Sequence, residues 1–378
     1  MKFTEIPSHE KEKRLLRQMV SDRRIPHALL LHGPAGTGKF MLARAFAQYV
    51  HCVSPGVDGE PCGVCASCRQ HNSFNHPDIA YVFPVVKNEG NKRPISEDFM
   101  EDFKDYVGRN PFMDFEKWAG YFDKKTVRPM IYAEESKRLE ERMSSTALSS
   151  DWKIVLLWLP ELLGEEAANK LLKLIEEPSD GSLFVLVSND AASILPTIRS
   201  RCRPLEVGRL ADADIAEWLA AHLAMDSAEA MAVAHVAEGS VNAALKSLDA
   251  ASVSRMYFDL FVRLMRLAYM RDVKGMKEWG GAVAELGRES AVRFFEYCTR
   301  LIRENFIYNF QIADLNYLNS EEEKFSRNFA RFVTEKNAER IIRAMDRAAV
   351  DIAGNASAKI VCFDFAVKMI ILIKEGVE

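Results

Sequence analysis

Proline is missing from the whole of this 378-residue sequence after Pro204: all 14 prolines lie between Pro7 and Pro204. The proline ring breaks helix interiors, so a long tail without it reads as helical. Long apolar runs are missing too. The longest, at 154–163 and 367–373, fall short of the roughly 18 residues a membrane-spanning helix needs, so no membrane role is expected. The first 24 residues are polar and lack the apolar centre of a secretory signal, which makes the cytoplasm the expected location. An excess of one charge is also lacking. Fifty Lys and Arg stand against 54 Asp and Glu, a net charge of −4, which excludes a surface that holds nucleic acid alone by phosphate neutralisation. Any DNA role is local or shared with a partner. With 48% hydrophobic and 28% charged residues, disordered, collagen-like and coiled-coil classes fall away, and the length favours two or three domains.

The first half alternates strand and helix signals. Ala28–His32 is a short apolar run that ends in Gly33-Pro34-Ala35-Gly36-Thr37-Gly38-Lys39, and 41–50 then shows helical spacing of Ala43, Phe46, Ala47 and Val50. A second strand is expected at 153–157, an amphipathic helix at 165–176 stopped by Pro178, and a third strand at 183–187. That order implies a parallel α/β sheet. Residues 86–128 have no clear period and carry nine basic and nine acidic residues, so they read as a neutral surface insertion without an assigned function. After Pro204, residues 212–237 are alanine-rich and helical, Gly239-Ser240 interrupts, and 241–248 resumes. From Ser254 onward apolar residues recur every three or four positions, as in a separate helical bundle.

Gly33 to Lys39 matches the phosphate-binding loop G-x-x-x-x-G-K, whose backbone N–H groups cradle phosphates while the lysine reaches the outer ones. The next position should carry the hydroxyl that holds Mg²⁺, and here it is Phe40. A hydrolysing site also needs an acidic residue at the end of the second strand. Trp158 and Leu159 stand there instead, and Glu161 lies beyond Pro160, within reach only after a register shift. With three oxygen-bearing groups absent, no Mg²⁺ site and no ATP hydrolysis by this chain alone are expected, and ATP binding is vestigial at most.

Cys52, Cys62, Cys65 and Cys68 form C-x₉-C-x₂-C-x₂-C among turn formers, which suits a closed tetrahedral structural Zn²⁺ site. His51, His71 and His76 are near enough in sequence to replace one ligand. Cys202, Cys298 and Cys362 stand alone and read as packed thiols. The third strand leads through Pro196 to Ser200-Arg201-Cys202, where an arginine can be presented to a neighbouring subunit to neutralise charge on a transferring phosphoryl group.

Taken together, these residues resemble the clamp-loader branch of the AAA+ ATPases and, within it, the delta-prime family of bacterial DNA polymerase III subunits. Ile25-Pro26-His27-Ala28 before the glycine loop, the four-cysteine insertion, Ala167-Ala168-Asn169-Lys170-Leu171-Leu172-Lys173 with Glu176-Glu177-Pro178, and Leu195 through Cys202 carry the resemblance over residues 1 to about 245. It implies an AAA+ P-loop core at 1–207 containing the zinc module (52–68) and the insertion (86–128), a small helical lid domain at 208–249, and an all-α collar domain at 250–378. It also implies that Gly33, Gly36, Gly38 and Lys39 form the nucleotide loop, that Asn189 occupies a polar sensing position, and that Arg201 is an arginine finger acting in trans. The family's second-domain arginine is replaced by Asn242. Phe40, Trp158, Leu159 and Asn242 each delete a group needed in cis while Arg201 stays. The resemblance therefore implies an ATP-inert stator that works with gamma/tau and delta subunits and meets the sliding clamp and primer-template DNA through the assembled complex. Two other readings stay open: an autonomous P-loop ATPase, gamma/tau-like, of replication or repair, and a zinc-module DNA binder without partners.

Overall fold

The computed structural model describes residues 1–88, 90–122, 128–311 and 316–376. The parts of the 86–128 insertion and of the 250–378 segment that fall at 89, 123–127, 312–315 and 377–378 lie outside the described residues. Two compact units are present, Met1–Ser247 and Leu248–Glu378.

The first unit is built on a five-stranded sheet. Helix α1 (Glu10–Ser21) precedes strand β1 (Ala28–His32), which is followed by α2 (Lys39–Val50), α3 (Ala66–Asn72) and β2 (Ile79–Val82). Then come α4 (Met100–Arg109), α5 (Phe115–Ala119), α6 (Ala133–Ser144), β3 (Lys153–Trp158), α7 (Glu165–Glu176), β4 (Ser182–Ser188), the one-turn α8 (Pro196–Arg199) and β5 (Arg203–Glu206). The strand order is β2-β3-β4-β1-β5 and every pairing is parallel. Helices cover both faces of such a sheet, which is why β1, β3 and β4 are buried almost end to end and read as continuous apolar runs. One core layer joins Leu30, Val155, Leu157, Phe184 and Leu186 to Leu139, Leu171 and Ile175 from α6 and α7. In open parallel sheets ligands gather beyond the carboxyl ends of the central strands, so the ends of β1, β3 and β4 define where a site can form.

Strands β2 and β5 have no counterpart in the sequence reading. Strand β5 contains Pro204, which lacks an N–H, and it sits at the sheet edge beside β1, where that donor is not needed. The reading of 86–128 as a surface insertion is corrected. Its described part folds into α4 and α5 and buries Phe103, Tyr106, Val107, Phe112, Met113 and Trp118. The spacing of Phe103, Tyr106 and Val107 is that of a helix face, and the dense charges around them hid it.

Helices α9 (Asp212–Leu223), α10 (Ser227–Val236) and α11 (Val241–Met270) follow. The second unit adds α12 (Val273–Glu285), α13 (Arg288–Tyr308), α14 (Ser320–Phe329), α15 (Ala338–Ala353) and α16 (Ala358–Glu375). Ile341, Met345, Ala348 and Ile352 fall on one stripe of α15 and pack with Trp279, Phe294, Phe295 and Phe365 into a single core. No described helix is long and apolar enough to cross a membrane.

Candidate functional site

The glycine loop joins the end of β1 to the first turn of α2. Gly36 and Gly38 hold φ of 77° and 87°, backbone that residues with a Cβ rarely adopt. A Cβ on Gly36 would also lie 2.3 Å from Ser240 Oγ, so the loop is pressed directly against the start of α11. Val241 N–H donates to the Gly36 carbonyl at 3.0 Å, and Ser240 Oγ donates to the Ala35 carbonyl at 2.9 Å. Gly33, with φ 149°, lies against the Val207 carbonyl just after β5. The loop thus turns on positive-φ glycines and has firm neighbours on its flank.

Lys39 is buried and its Nζ donates to the carbonyl of Pro34 within the same loop. Burial pulls its ammonium down to about 7, opposed by the nearby Glu161 carboxylate. Glu161 reaches this position without any register shift, because β3 pairs with β4 as far as Trp158 and Val187 and the chain then turns through Leu159 at φ 61°. Glu161 Oε1 accepts from the backbone N–H of Asn189 at 2.9 Å and of Asp190 at 3.3 Å. Among the described residues its Oε2 is buried with no hydrogen-bond partner, and burial raises the pKa of Glu161. The sequence puts Glu161 beyond Pro160 and within reach only after a register shift, yet it is the acid that faces the lysine. Asn189 stands beside it at the end of β4, with its main chain turned toward Glu161.

Where Mg²⁺ ligands would be required, the site is aromatic. Phe40 and Trp158 are both buried, with ring centroids 6.4 Å apart. Phe103 from α4 meets Phe40 at 5.9 Å and Trp158 at 6.1 Å, and it stacks on Phe83 at 3.8 Å. Tyr106 adds a further contact to Trp158 at 6.1 Å. A hard divalent cation needs oxygen ligands; the rings of Phe40, Phe83, Phe103 and Trp158 offer none, and the Tyr106 hydroxyl is taken up by the Asp114 backbone. Asn242, at the position where a phosphate-directed arginine was absent, donates its amide to the carbonyls of Phe112 and Met113 at 3.3 and 3.0 Å. The sequence reading missed Phe103 and Phe112 as members of this site.

Arg201 lies elsewhere, beyond the short α8. Its Nη1 donates to the Thr197 carbonyl at 2.9 Å and its Nη2 pairs with Glu176 Oε1 at 2.6 Å, with the arginine side chain still 40% exposed. Glu176 closes α7, so the guanidinium is held outward by two elements of the rigid core.

The four cysteines converge as their spacing predicts, with their sulfur atoms within 4.8 Å of one another. Backbone N–H groups point at the sulfurs: Cys62 N to Cys52 Sγ at 3.2 Å, Cys65 N to Cys62 Sγ at 3.3 Å, and Cys68 N to Cys65 Sγ at 3.4 Å. Donors aimed at sulfur favour thiolates, and the N–H groups of Val64 and Cys65 pull the Cys62 thiol down to about 6. The donor set therefore fits a metal ion. His51, His71 and His76 form a separate buried group with ring nitrogens within 4.8 Å of one another. His51 stacks on His76 at 4.2 Å with planes 19° apart, and His51 Nδ1 is 2.8 Å from His71 Nε2. These are rings packed on each other, and none joins the cysteine set. Cys202, Cys298 and Cys362 are buried outside the cysteine centre, and burial raises each thiol, with Cys362 adding to the rise at its neighbour Cys298.

Residues 8–211 match the family described as DNA polymerase III, delta subunit. A curated relative from Pseudomonas aeruginosa, DNA polymerase III subunit delta', is 32% identical over 205 residues, covering 54% of this chain and 50% of the relative. The Bacillus subtilis subunit of the same name is 28% identical over 216 residues, covering 56% and 52%. The Bacillus subtilis DNA polymerase III subunit tau is 25% identical over 255 residues, covering 66% of this chain and 38% of the relative. The chain spans about half the length of the curated delta' relatives it matches.

Proposed function

Since the chain belongs to the DNA polymerase III delta subunit family, we propose that it is a non-hydrolysing stator subunit of the bacterial clamp loader, supplying Arg201 in trans to a neighbouring ATPase during loading of the sliding clamp. The observation that carries this reading is the packing of Phe40 and Trp158 against Phe103 where a hydrolysing site needs oxygen ligands for Mg²⁺. Arg201 supports it from the other side: an exposed guanidinium fixed by Thr197 and Glu176 is available to another subunit's phosphates.

On this reading residues 208–249 are the lid and 250–378 the collar through which gamma/tau and delta subunits assemble in the cytoplasm. The sliding clamp and primer-template DNA are met through the complex. Cys52, Cys62, Cys65 and Cys68 hold a structural Zn²⁺, a closed site that contributes folding energy to the first unit.

One observation favours a second reading, an active gamma/tau-like ATPase: Lys39 is retained in its loop and Glu161 faces it. Calorimetry with ATP and Mg²⁺ separates the two. The stator reading expects no binding heat for the isolated chain, whereas micromolar binding that Lys39→Ala abolishes would establish the alternative.

A further inference from the structure

We infer that residues 96–122 are a built-in occupant of the phosphate-loop site, roofing the loop and fastening the start of α11 to it, so that the first unit holds its closed arrangement without nucleotide. The roof has two parts. Phe103 covers Phe40 and Trp158, and the edge of Phe112 stands 3.6 Å from where a Gly38 Cβ would be.

The fastener is the turn Phe112-Met113-Asp114. Asn242 bonds the first two carbonyls, and Lys246 Nζ lies 2.9 Å from Asp114 Oδ2, whose side chain is only 6% exposed. Phe112 also meets Trp218 of α9 edge to face at 5.1 Å. On its other side the same stretch of α11 holds the loop, through Val241 to Gly36 and Ser240 to Ala35. One helix start is therefore bonded to the glycine loop and to the insertion by adjacent residues.

The turn itself is rigidly held. Tyr106 OH accepts from Asp114 N and donates to Asp114 O, each at 2.6 Å, and Asp114 Oδ1 caps α5 through Glu116 N and Lys117 N. Met113 sits at φ 53°, a conformation that persists only where its surroundings determine it. The loop's own lysine is satisfied by Pro34, with no phosphate required. The two side chains at this loop that could turn to a phosphate, Lys39 and Asn242, are thus each bonded to backbone carbonyls.

This inference rests on the stator reading and adds what keeps the unit closed. Hydrogen exchange on the full chain tests it, comparing the Val241 amide with the β3 amides, with and without ATP and Mg²⁺. The expected result is strong protection of Val241 that ATP leaves unchanged, and exchange about tenfold faster in Asn242→Ala/Lys246→Ala with β3 unaffected. Lys246→Glu, which repels Asp114 and removes no buried group, should act in the same direction. Val241 exchange that stays at the wild-type rate in both variants overturns the inference and leaves the stator reading standing. Protection of Val241 that ATP increases in the wild type overturns both, because the site would then be open to nucleotide.

Discussion

Phe40 and Trp158 meet with ring centroids 6.4 Å apart and planes at 62°, between the first turn of the helix after the glycine loop and the end of the third strand. Both side chains are buried, at 3% and 2% exposure. On the proposed reading, this pair fills with hydrophobic core the place where a hydrolysing site needs its metal ion. Phe40→Ala should therefore behave as a core truncation, destabilising the chain by about 3–5 kcal/mol in denaturant unfolding. A loss under about 1 kcal/mol would mean that the ring is not packed as described.

Arg201 and Glu176 form an exposed pair, so their value to stability is small. Arg201→Ala should change the unfolding free energy by no more than about 0.5 kcal/mol in the isolated chain. A large stability loss would assign the arginine to the fold and remove the reason to look for its partner elsewhere.

The cysteine centre predicts one zinc per chain by elemental analysis of reduced protein. Cys65→Ser should lose the metal, and chelation should lower the melting temperature of the wild type while leaving that of Cys65→Ser unchanged. Reduced protein free of zinc, with a melting temperature insensitive to chelator, would reject the site.

Glu135 gives a pH test of how the insertion is anchored. It is buried and its Oε2 accepts from Ser96 N at 2.6 Å and lies 2.8 Å from Ser96 Oγ. Burial outweighs these bonds and pushes its carboxyl up to about 7 from an ordinary 4.5. A carboxyl raised on folding favours the native state when protonated, so its contribution is complete below pH 4.5 and is lost as pH rises through about 7. Glu135→Gln should be more stable than wild type at pH 8, by about 1–3 kcal/mol. That advantage should shrink toward pH 5. A difference independent of pH would show that Glu135 does not titrate in this range.

Much of this arrangement was written in local pattern. The glycine loop, the strand before it and the helix after it follow from residues adjacent in sequence, and the four cysteines converge because their spacing admits it. What the pattern could not carry is contact across the chain. Glu161 lies beyond Pro160 in sequence, yet its carboxylate turns back to the Asn189 and Asp190 amides, a contact set by the turn at Leu159. Phe103 and Phe112 looked like scattered aromatics in a charged insertion, since nothing local marks Phe40 as their partner. Strand β5 was hidden by Pro204, whose cost vanishes at a sheet edge. Local chemistry was legible, and the aromatic residues packed around Phe40 were not, because they are selected by shape rather than by motif.

The stator reading is tested most directly by ATP hydrolysis measured for the isolated chain and for its mixture with the gamma/tau and delta subunits, clamp and primer-template DNA. The chain alone should show none. The mixture should hydrolyse ATP, and Arg201→Ala should lower that rate at least tenfold with assembly intact, given that an arginine finger contributes roughly 10³-fold or more to a single site. Hydrolysis by the isolated chain that Lys39→Ala removes, or an undiminished rate with Arg201→Ala, would contradict the account.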